Sequence, residues 1–198
     1  MRKILCGADR LDTVDAILRD GRLALLTNAS GIDRHGIPTY QKLAEKYRLE
    51  LLLSPEHGIR TNLQDGGWAD DARDAETGAK VLSMKSGGHA ALNEALSGID
   101  IVLYDIQDVG ARFYTYLYNL TELMRRCAAA GVPLMVLDRP DPVSGAVMGP
   151  VLDESRFSSF VGECAIPTRY GLTVGEFARY VNATYSLGCQ LEVVRCEG

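Results

Sequence analysis

The stretch IDIVLYDIQDVGARFYTYLYNLTELMRRCAAAGVPLMVLD, residues 99–138, decides the fold class. Two short apolar runs, Ile99–Ile106 and Pro133–Asp138, have the length of strands, and the helical spacing between them predicts a helix over Phe113–Ala130. Gly131 follows at the position where a left-handed residue commonly ends a helix. A strand, a helix and a second strand in this order predict a β-α-β unit with parallel strands.

The rest of the chain repeats this alternation. Further strands are predicted at Leu23–Thr27, Leu49–Ser54, Lys80–Ser83 and Gln190–Arg195. A first helix is predicted because Leu11, Val14, Ile17 and Leu18 would share one helix face. Further helices are predicted over Tyr40–Tyr47, over Ala90–Leu96, and from Thr173 to about Ser186. The strands are almost continuously hydrophobic, as strands buried on both faces are. We therefore expect an α/β fold in which helices cover both faces of a mostly parallel sheet.

Length and composition indicate one globular domain over 1–198. The chain has 198 residues, 46% of them hydrophobic and 24% charged, which excludes a disordered or fibrous protein. The net charge is -5 without any long block of one sign, so no nucleic acid partner is expected. No apolar run reaches the ~18 residues that a membrane span needs. The polar start argues against a signal peptide. We expect a cytoplasmic protein without membrane contact, or a secreted or periplasmic one if a leader was removed.

The five cysteines lack the spacing of a disulfide framework or of a C-x-x-C pair. Reduced, mostly buried thiols are expected. They are Cys6, Cys127, Cys164, Cys189 and Cys196.

Polar residues follow four of the predicted strands. Ligands of open α/β sheets bind beyond the carboxyl ends of the strands, so these residues form the candidate site. They are Asn28 and Ser30; Glu56 and His57; Asp105, Gln107, Asp108 and Arg112; and Asp138, Arg139 and Asp141.

Glu56 is the candidate proton donor. A carboxyl that is partly desolvated between a strand and a glycine-containing loop can donate a proton near neutral pH. For other residues of the edge, plainer interpretations stay open. Asn28, Ser30 and Asp141 could make turn hydrogen bonds, and Asp105 and Asp108 could pair with Arg112 in a structural network. Tyr114, Tyr116 and Tyr118 cannot all be buried on one helix face, so at least one ring is expected at the rim.

Motifs for other chemistries are missing from the sequence. Gly31–Gly36 has the glycine spacing of a phosphate loop without its lysine, and no G-x-G-x-x-G or G-x-S-x-G is present. The three histidines lack the spacing of zinc ligands. We expect no cofactor and no metal, although Glu56, His57, Asp105 and Asp108 together could hold a hard cation.

Six strings carry a resemblance to a known family. They are SPEHGIR (54–60), DIQDVGARFYTY (105–116), VLDRPDP (136–142), GPVLD (149–153), SFVGE (159–163) and IPTRYGLTVGE (166–176). In this order they closely resemble the exo-β-N-acetylmuramidases, formerly a family of unknown function. The resemblance implies a glycosidase that removes N-acetylmuramic acid from the non-reducing end of peptidoglycan fragments.

The resemblance also implies a Rossmann-like amino-terminal domain that carries the active site. Family members are longer and have a second, smaller domain, so the chain is expected to match the first domain alone. Glu56 would be the acid. The implied pocket residues are His57, Asp105, Gln107, Asp108, Arg112, Tyr114, Asp138 and Arg139. Tyr170, where the family has a histidine, Asp141, where it has asparagine, and SMKSGG near Ser83 depart from the family pattern.

The second catalytic group stays open at this point. Asp105 or Asp108 could act as base or nucleophile, or the substrate's own 2-acetamido group could assist. Arg112 or Arg139 could bind the lactyl carboxylate of the sugar through a bidentate contact. The alternative is a non-catalytic muropeptide-binding module, or a fragment that lacks the second domain and turns over poorly.

Overall fold

A six-stranded sheet forms the centre of the protein, which the computed structural model describes over residues 4–56, 58–59, 73–84 and 88–198. The described strands are β1 (Arg22–Thr27), β2 (Arg48–Ser54), β3 (Lys80–Ser83), β4 (Ile101–Asp105), β5 (Leu134–Leu137), β6 (Met148–Val151), β7 (Pro167–Arg169) and β8 (Leu191–Val194). The described α-helices are α1 (Asp15–Leu18), α2 (Thr39–Lys46), α3 (Gly88–Leu96), α4 (Tyr116–Ala130), α5 (Glu154–Phe157) and α6 (Val174–Thr184).

The strand order is that of a doubly wound Rossmann sheet. The strands lie in the order β3-β2-β1-β4-β5-β8, and each neighbouring pair is parallel. The order reverses between β1 and β4, where such sheets open a crevice at the carboxyl ends of the strands. The predicted α/β, Rossmann-like fold is therefore confirmed.

Helices cover both faces of the sheet, as predicted. Along β1, Leu23 and Leu25 pack into one apolar core, and Ala24 and Leu26 pack into the other, because strand side chains alternate between faces. The first core lies under α1 and α2, and the second under α3, α4 and α6.

The six predicted strands are confirmed to within two residues at each end. The capping box predicted for α6 is also confirmed, since Thr173 Oγ1 accepts a bond from the Glu176 N–H at 3.2 Å and the Thr173 N–H donates to Glu176 Oε2 at 2.9 Å. Gly131 ends α4 with φ 68°.

Two helix predictions were wrong in part. α4 begins at Tyr116 and not at Phe113, so Tyr114 precedes the helix and does not share its face with Tyr118. The first predicted helix is a 3-10 turn over Leu11–Val14 followed by the four residues of α1, and Ile17 is 54% exposed. Segments this short do not keep one continuous apolar face.

The proline-rich stretch before Tyr170 contains a second, small sheet. β6 pairs antiparallel with β7, and α5 lies between them in the chain. Ala111 forms an isolated bridge to Arg169, which attaches this sheet to the loop after β4. In the described part of the chain, no helix has the length and hydropathy needed to cross a membrane.

Candidate functional site

The carboxyl ends of β1, β2, β4 and β5 lie along one edge of the sheet. The pairing of Thr27 with Asp105 fixes the register at the switch point, and Thr27 Oγ1 donates a hydrogen bond to the Asp105 carbonyl at 2.8 Å. The predicted assembly of strand ends at one edge is therefore correct. His57 lies outside the described residues.

Glu56 follows β2 and contacts the start of α4. Its Oε2 accepts hydrogen bonds from Thr115 Oγ1 at 3.1 Å and from Asn119 Nδ2 at 3.0 Å. Asn119 Nδ2 also donates to the Thr115 carbonyl at 3.2 Å, which fixes its amide group. The carboxyl group is thus held at the start of α4 by two side chains of that helix end.

These contacts distinguish the two oxygens of Glu56. An amide nitrogen can only donate, so Oε2 acts as an acceptor toward Asn119. A proton delivered by Glu56 would therefore be carried on Oε1.

Asp105 and Arg139 form a buried ion pair. Arg139 Nε donates to Asp105 Oδ1 at 2.6 Å, and Nη2 donates to Oδ2 at 2.9 Å. The exposed fractions are 0% for Asp105 and 6% for Arg139. Burial raises the pKa of Asp105, and the guanidinium offsets part of that rise. Because both carboxylate oxygens accept N–H bonds, we describe the pair as ionised. Asp105 thus pairs with Arg139 and not, as the network interpretation had it, with Arg112.

Asp108 is the second buried carboxyl of this loop. Its Oδ2 accepts hydrogen bonds from the Gly110 N–H at 2.8 Å and from the Tyr170 hydroxyl. Its Oδ1 is buried and has no hydrogen-bond partner among the described residues. Burial raises the pKa of Asp108, the Tyr170 hydrogen bond opposes this rise, and the nearby charge of Asp141 adds to it.

Asn28 and Gln107 fix the loops at the switch point. Asn28 Oδ1 accepts bonds from the N–H and the hydroxyl of Ser30 at 2.9 and 2.5 Å, which is the turn interpretation. Ser30 Oγ accepts the Gln107 N–H at 2.9 Å. Gln107 Nε2 donates to the carbonyls of Asp108 and Pro140 at 2.8 and 3.0 Å. These side chains therefore connect the loops after β1, β4 and β5.

Asp138 binds the start of α6. Its Oδ1 accepts the Gly175 N–H at 2.8 Å, and its Oδ2 accepts the Thr173 hydroxyl at 3.0 Å. A Cβ on Gly175 would lie 2.9 Å from the Asp138 carboxyl, so only glycine allows this approach. Asp138 thus satisfies donors that a helix start leaves unpaired.

Arg112 and Tyr114 lie at the rim, beside the small sheet. Arg112 Nη1 donates to the carbonyls of Pro150 and Ile166, each at 2.9 Å. Tyr114 is 45% exposed, whereas Tyr118 is buried. The prediction that one of the three tyrosines faces outward is confirmed.

A cavity of about 470 Å³ lies beside Asn119, on the α4 side of the sheet. Its lining combines apolar side chains with the oppositely charged Arg125 and Glu163, which pair with each other. The lining residues are Met84, Leu92, Tyr118, Asn119, Glu122, Arg125, Ser158, Ser159, Phe160 and Glu163. Asn119 therefore links Glu56 to a space that could receive a ligand.

Sequence reasoning missed Thr115 and Asn119. Asn119 is a buried amide between the apolar residues Leu117 and Leu120 of α4, and that isolated polar residue was the available signal. Among the described residues, no group of three or more His, Cys, Asp or Glu is arranged to hold a metal ion.

The site can donate a proton from one carboxyl and offers a second buried carboxyl. The loop of Asp105 and Asp108 follows β4, the loop of Glu56 follows β2, and both leave the same edge of the sheet with β1 between them. This is the residue set that acid-assisted cleavage of a glycosidic bond requires.

Comparison with known proteins identifies the family. Residues 23–198 match the sequence profile of the family "Exo-beta-N-acetylmuramidase NamZ, N-terminal". The chain is 38% identical over 181 residues to the peptidoglycan beta-N-acetylmuramidase NamZ of Bacillus subtilis (strain 168), covering 90% of this chain and 44% of that protein.

Two solved structures of DUF1343 family proteins from Bacteroides fragilis NCTC 9343 have the same fold. One is 35% identical with a TM-score of 0.88 and covers 98% of this chain and 50% of its own. The other is 32% identical with a TM-score of 0.85 and covers 100% of this chain and 53% of its own. The chain spans about half the length of these relatives. Its sequence and its fold agree on one assignment: the chain belongs to the exo-β-N-acetylmuramidase NamZ amino-terminal family.

Proposed function

We propose that this chain carries the catalytic site of a glycosidase that releases N-acetylmuramic acid from the non-reducing end of peptidoglycan fragments. The observation that carries the proposal is the position of Glu56 at the carboxyl edge of the sheet, where it is held by Thr115 and by Asn119, a residue that also lines a cavity. The 38% identity to a peptidoglycan beta-N-acetylmuramidase supports the substrate class.

Glu56 acts in this proposal as the general acid. Cleavage needs a proton on the leaving glycosidic oxygen as the bond breaks. Oε2 is engaged by Asn119, so the proton moves from Oε1 to that oxygen. The fixed amide keeps the carboxyl oriented while the sugar develops positive charge.

The geometry favours Asp108 over Asp105 as the second carboxyl. Both oxygens of Asp105 accept bonds from Arg139, and a nucleophile there would have to break a buried ion pair. Asp108 keeps Oδ1 without a hydrogen-bond partner among the described residues. Assistance by the substrate's 2-acetamido group is the competing mechanism, in which neither aspartate attacks the sugar.

Arg112 is the better candidate for the lactyl carboxylate that distinguishes muramic acid from glucosamine. Arg139 is committed to Asp105, whereas the side-chain hydrogen bonds of Arg112 to described residues use Nη1 alone. Its Nε and Nη2 can then bind a carboxylate. The exposed ring of Tyr114 lies nearby in the chain and can stack on a sugar. Asn28, Gln107 and Asp138 hold the surrounding loops.

Hydrolysis of a chromogenic β-N-acetylmuramide by the purified chain tests the proposal. We expect the wild type to release the chromophore and Glu56→Gln to lose at least about two orders of magnitude in rate, as the loss of a general acid does. The matched control is Glu94→Gln, the same change at an exposed position of α3, which should keep the wild-type rate.

Circular dichroism confirms that each variant is folded. Equal rates for wild type and Glu56→Gln would refute the role of Glu56. Binding of N-acetylmuramic acid without turnover would instead assign this chain as a muropeptide-binding module. Full activity after exhaustive chelation is expected, and loss of activity would point to a metal-dependent reaction.

A further inference from the structure

The two ends of the described chain meet in a short antiparallel pairing. The Leu5 N–H donates to the Glu197 carbonyl at 2.7 Å, and the Glu197 N–H donates to the Leu5 carbonyl at 2.9 Å. Two residues that exchange both bonds form a hydrogen-bonded pair, and the next residues along form a non-hydrogen-bonded pair. Those next residues are Cys6 and Cys196.

This register places the two cysteines directly opposite each other. Side chains of directly opposite residues project from the same face of the pairing. The Cα atoms of a non-hydrogen-bonded pair are about 4.5 Å apart, within the range of about 4.4–6.8 Å that a disulfide spans. A bond between these two sulfurs therefore needs no rearrangement of the backbone.

Solvent exposure distinguishes Cys6 and Cys196 from the other three cysteines. Cys6 and Cys196 are half-buried, whereas Cys127, Cys164 and Cys189 are buried, and all five are free thiols in the structure. A small oxidant in solution can reach the first two and is excluded from the other three.

The surroundings make Cys6 the attacking thiol. Its hydrogen bond with Cys196 and the positive charge of Arg139 lower the pKa of Cys6 to about 7. The same hydrogen bond raises the pKa of Cys196. A lowered pKa favours the thiolate of Cys6, the form that attacks a disulfide.

We propose that Cys6 and Cys196 form a reversible oxidation site that closes into an intramolecular disulfide when the chain meets a small-molecule disulfide such as oxidised glutathione. The Cys6 thiolate attacks one glutathione sulfur, breaks the S–S bond and releases one glutathione thiolate. The Cys196 sulfur, on losing its proton, then attacks the Cys6 sulfur of the mixed disulfide and releases the second glutathione. Two protein thiols are oxidised, and one oxidised glutathione is reduced to two thiols.

The disulfide would fasten the amino-terminal segment onto the site edge. The Gly7 N–H donates to the Asp138 carbonyl at 2.8 Å, and the Asp138 N–H donates to the Val194 carbonyl at 3.0 Å. The segment and the end of β8 thus flank the end of β5. Joining them closes a loop of nearly the whole chain, which restricts the unfolded state strongly.

Thiol counting on the full chain tests this proposal. The reduced protein is incubated with oxidised glutathione, quenched with N-ethylmaleimide under denaturing conditions, and analysed by mass spectrometry. We expect the label count to fall from five to three, a cross-linked peptide containing Cys6 and Cys196, and a Tm higher by roughly 10 °C. Dithiothreitol should restore five labels and the original Tm.

Matched variants assign the reaction to this pair. Cys196→Ser should form no intramolecular disulfide, whereas Cys189→Ala should form it as the wild type does. Five labels after oxidation, a cross-link between other cysteines, or a disulfide-linked dimer on a non-reducing gel would each overturn the proposal. None of these readouts depends on glycosidase activity, so the result stands apart from the test of Glu56.

Discussion

The buried pair of Asp105 and Arg139 provides the most quantitative prediction. The change is Arg139→Met, which keeps much of the side-chain volume and removes both guanidinium donors to Asp105. The carboxylate, with 0% exposure, would remain without its bidentate partner. Arg139 Nη2 also donates to the Ile32 carbonyl at 2.8 Å, and that bond is lost as well.

Arg139→Met is expected to lower the free energy of unfolding strongly. Removing one partner of a buried ion pair destabilises a protein by about 3–5 kcal/mol. For a domain of this size this corresponds to a fall in Tm of roughly 6–20 °C. Replacing both partners, as in Asp105→Leu with Arg139→Met, should cost clearly less than the sum of the two single changes, because no charge is then left buried.

The assay is thermal and urea denaturation at pH 7, each followed by circular dichroism, for the two single variants and the double variant. A matched control lies at the opposite edge of the sheet. Arg22 makes the same two-pronged contact with Asp100 at 3.0 and 2.9 Å, but the side chains are 38% and 46% exposed. Arg22→Met should change Tm by about 4 °C or less, because exposed ion pairs contribute only about 0–1 kcal/mol.

Two results would refute this reasoning. Additive losses in the double variant would mean that the two side chains do not interact as the structure shows. A loss for Arg139→Met no greater than that for Arg22→Met would mean that burial of the pair does not determine its energetic weight.

Two further predictions concern the acid and the pH dependence of stability. Asn119→Asp places a second carboxylate about 3 Å from Glu56, which disfavours ionisation of Glu56 and should move the alkaline limb of the pH–rate profile to higher pH. An alkaline limb at the same pH as in the wild type would contradict the contact between Asn119 and Glu56. Although burial opposes it, bonds from the Ile37 N–H and Lys42 lower the pKa of Asp33 below 3.8. This stabilisation is present above pH 3.8 and is lost as pH falls through the folded-state pKa. Asp33→Asn should lower Tm by roughly 3–6 °C at pH 7, with the difference shrinking in acid.

The strands were predictable because each has a short, nearly continuous apolar run. The order of the strands was not, because periodicity describes one segment at a time and the order depends on how the helices pack. Only one rule related the strands to each other: in an open α/β sheet, the carboxyl ends of parallel strands lie at the same edge. That rule correctly placed four predicted site residues along one edge, namely Asn28, Glu56, Asp105 and Asp138.

Local spacing failed where distant contacts decide the structure. The segment before Tyr116 has helical periodicity, but the Arg112 N–H donates to the Thr168 carbonyl at 2.9 Å, and this contact with β7 delays the start of α4. In the same way, Arg112 is nearer to Asp105 in sequence, yet Arg139 at the end of the neighbouring strand is the partner.

Within the site, sequence patterns identified carboxyl groups better than the groups that hold them. Glu56 was recognised from its place after a strand, but its contacts Thr115 and Asn119 lie on a helix that looked purely structural. Asp138 was expected to face a ligand, and its oxygens instead bind the start of α6. A carboxylate accepts hydrogen bonds in the same way from a ligand and from the start of a helix, so only the fold distinguishes the two roles.

The central claim is that Glu56 reaches the glycosidic oxygen of a bound muramyl sugar. A crystal structure of the Glu56→Gln variant with a muramyl disaccharide tests it most directly. We predict that the glycosidic oxygen lies within about 3.2 Å of the substituted side chain, because a proton donor must be within hydrogen-bond distance of the atom it protonates. A disaccharide bound at the other edge of the sheet, or one whose glycosidic oxygen is out of reach of residue 56, would contradict the account.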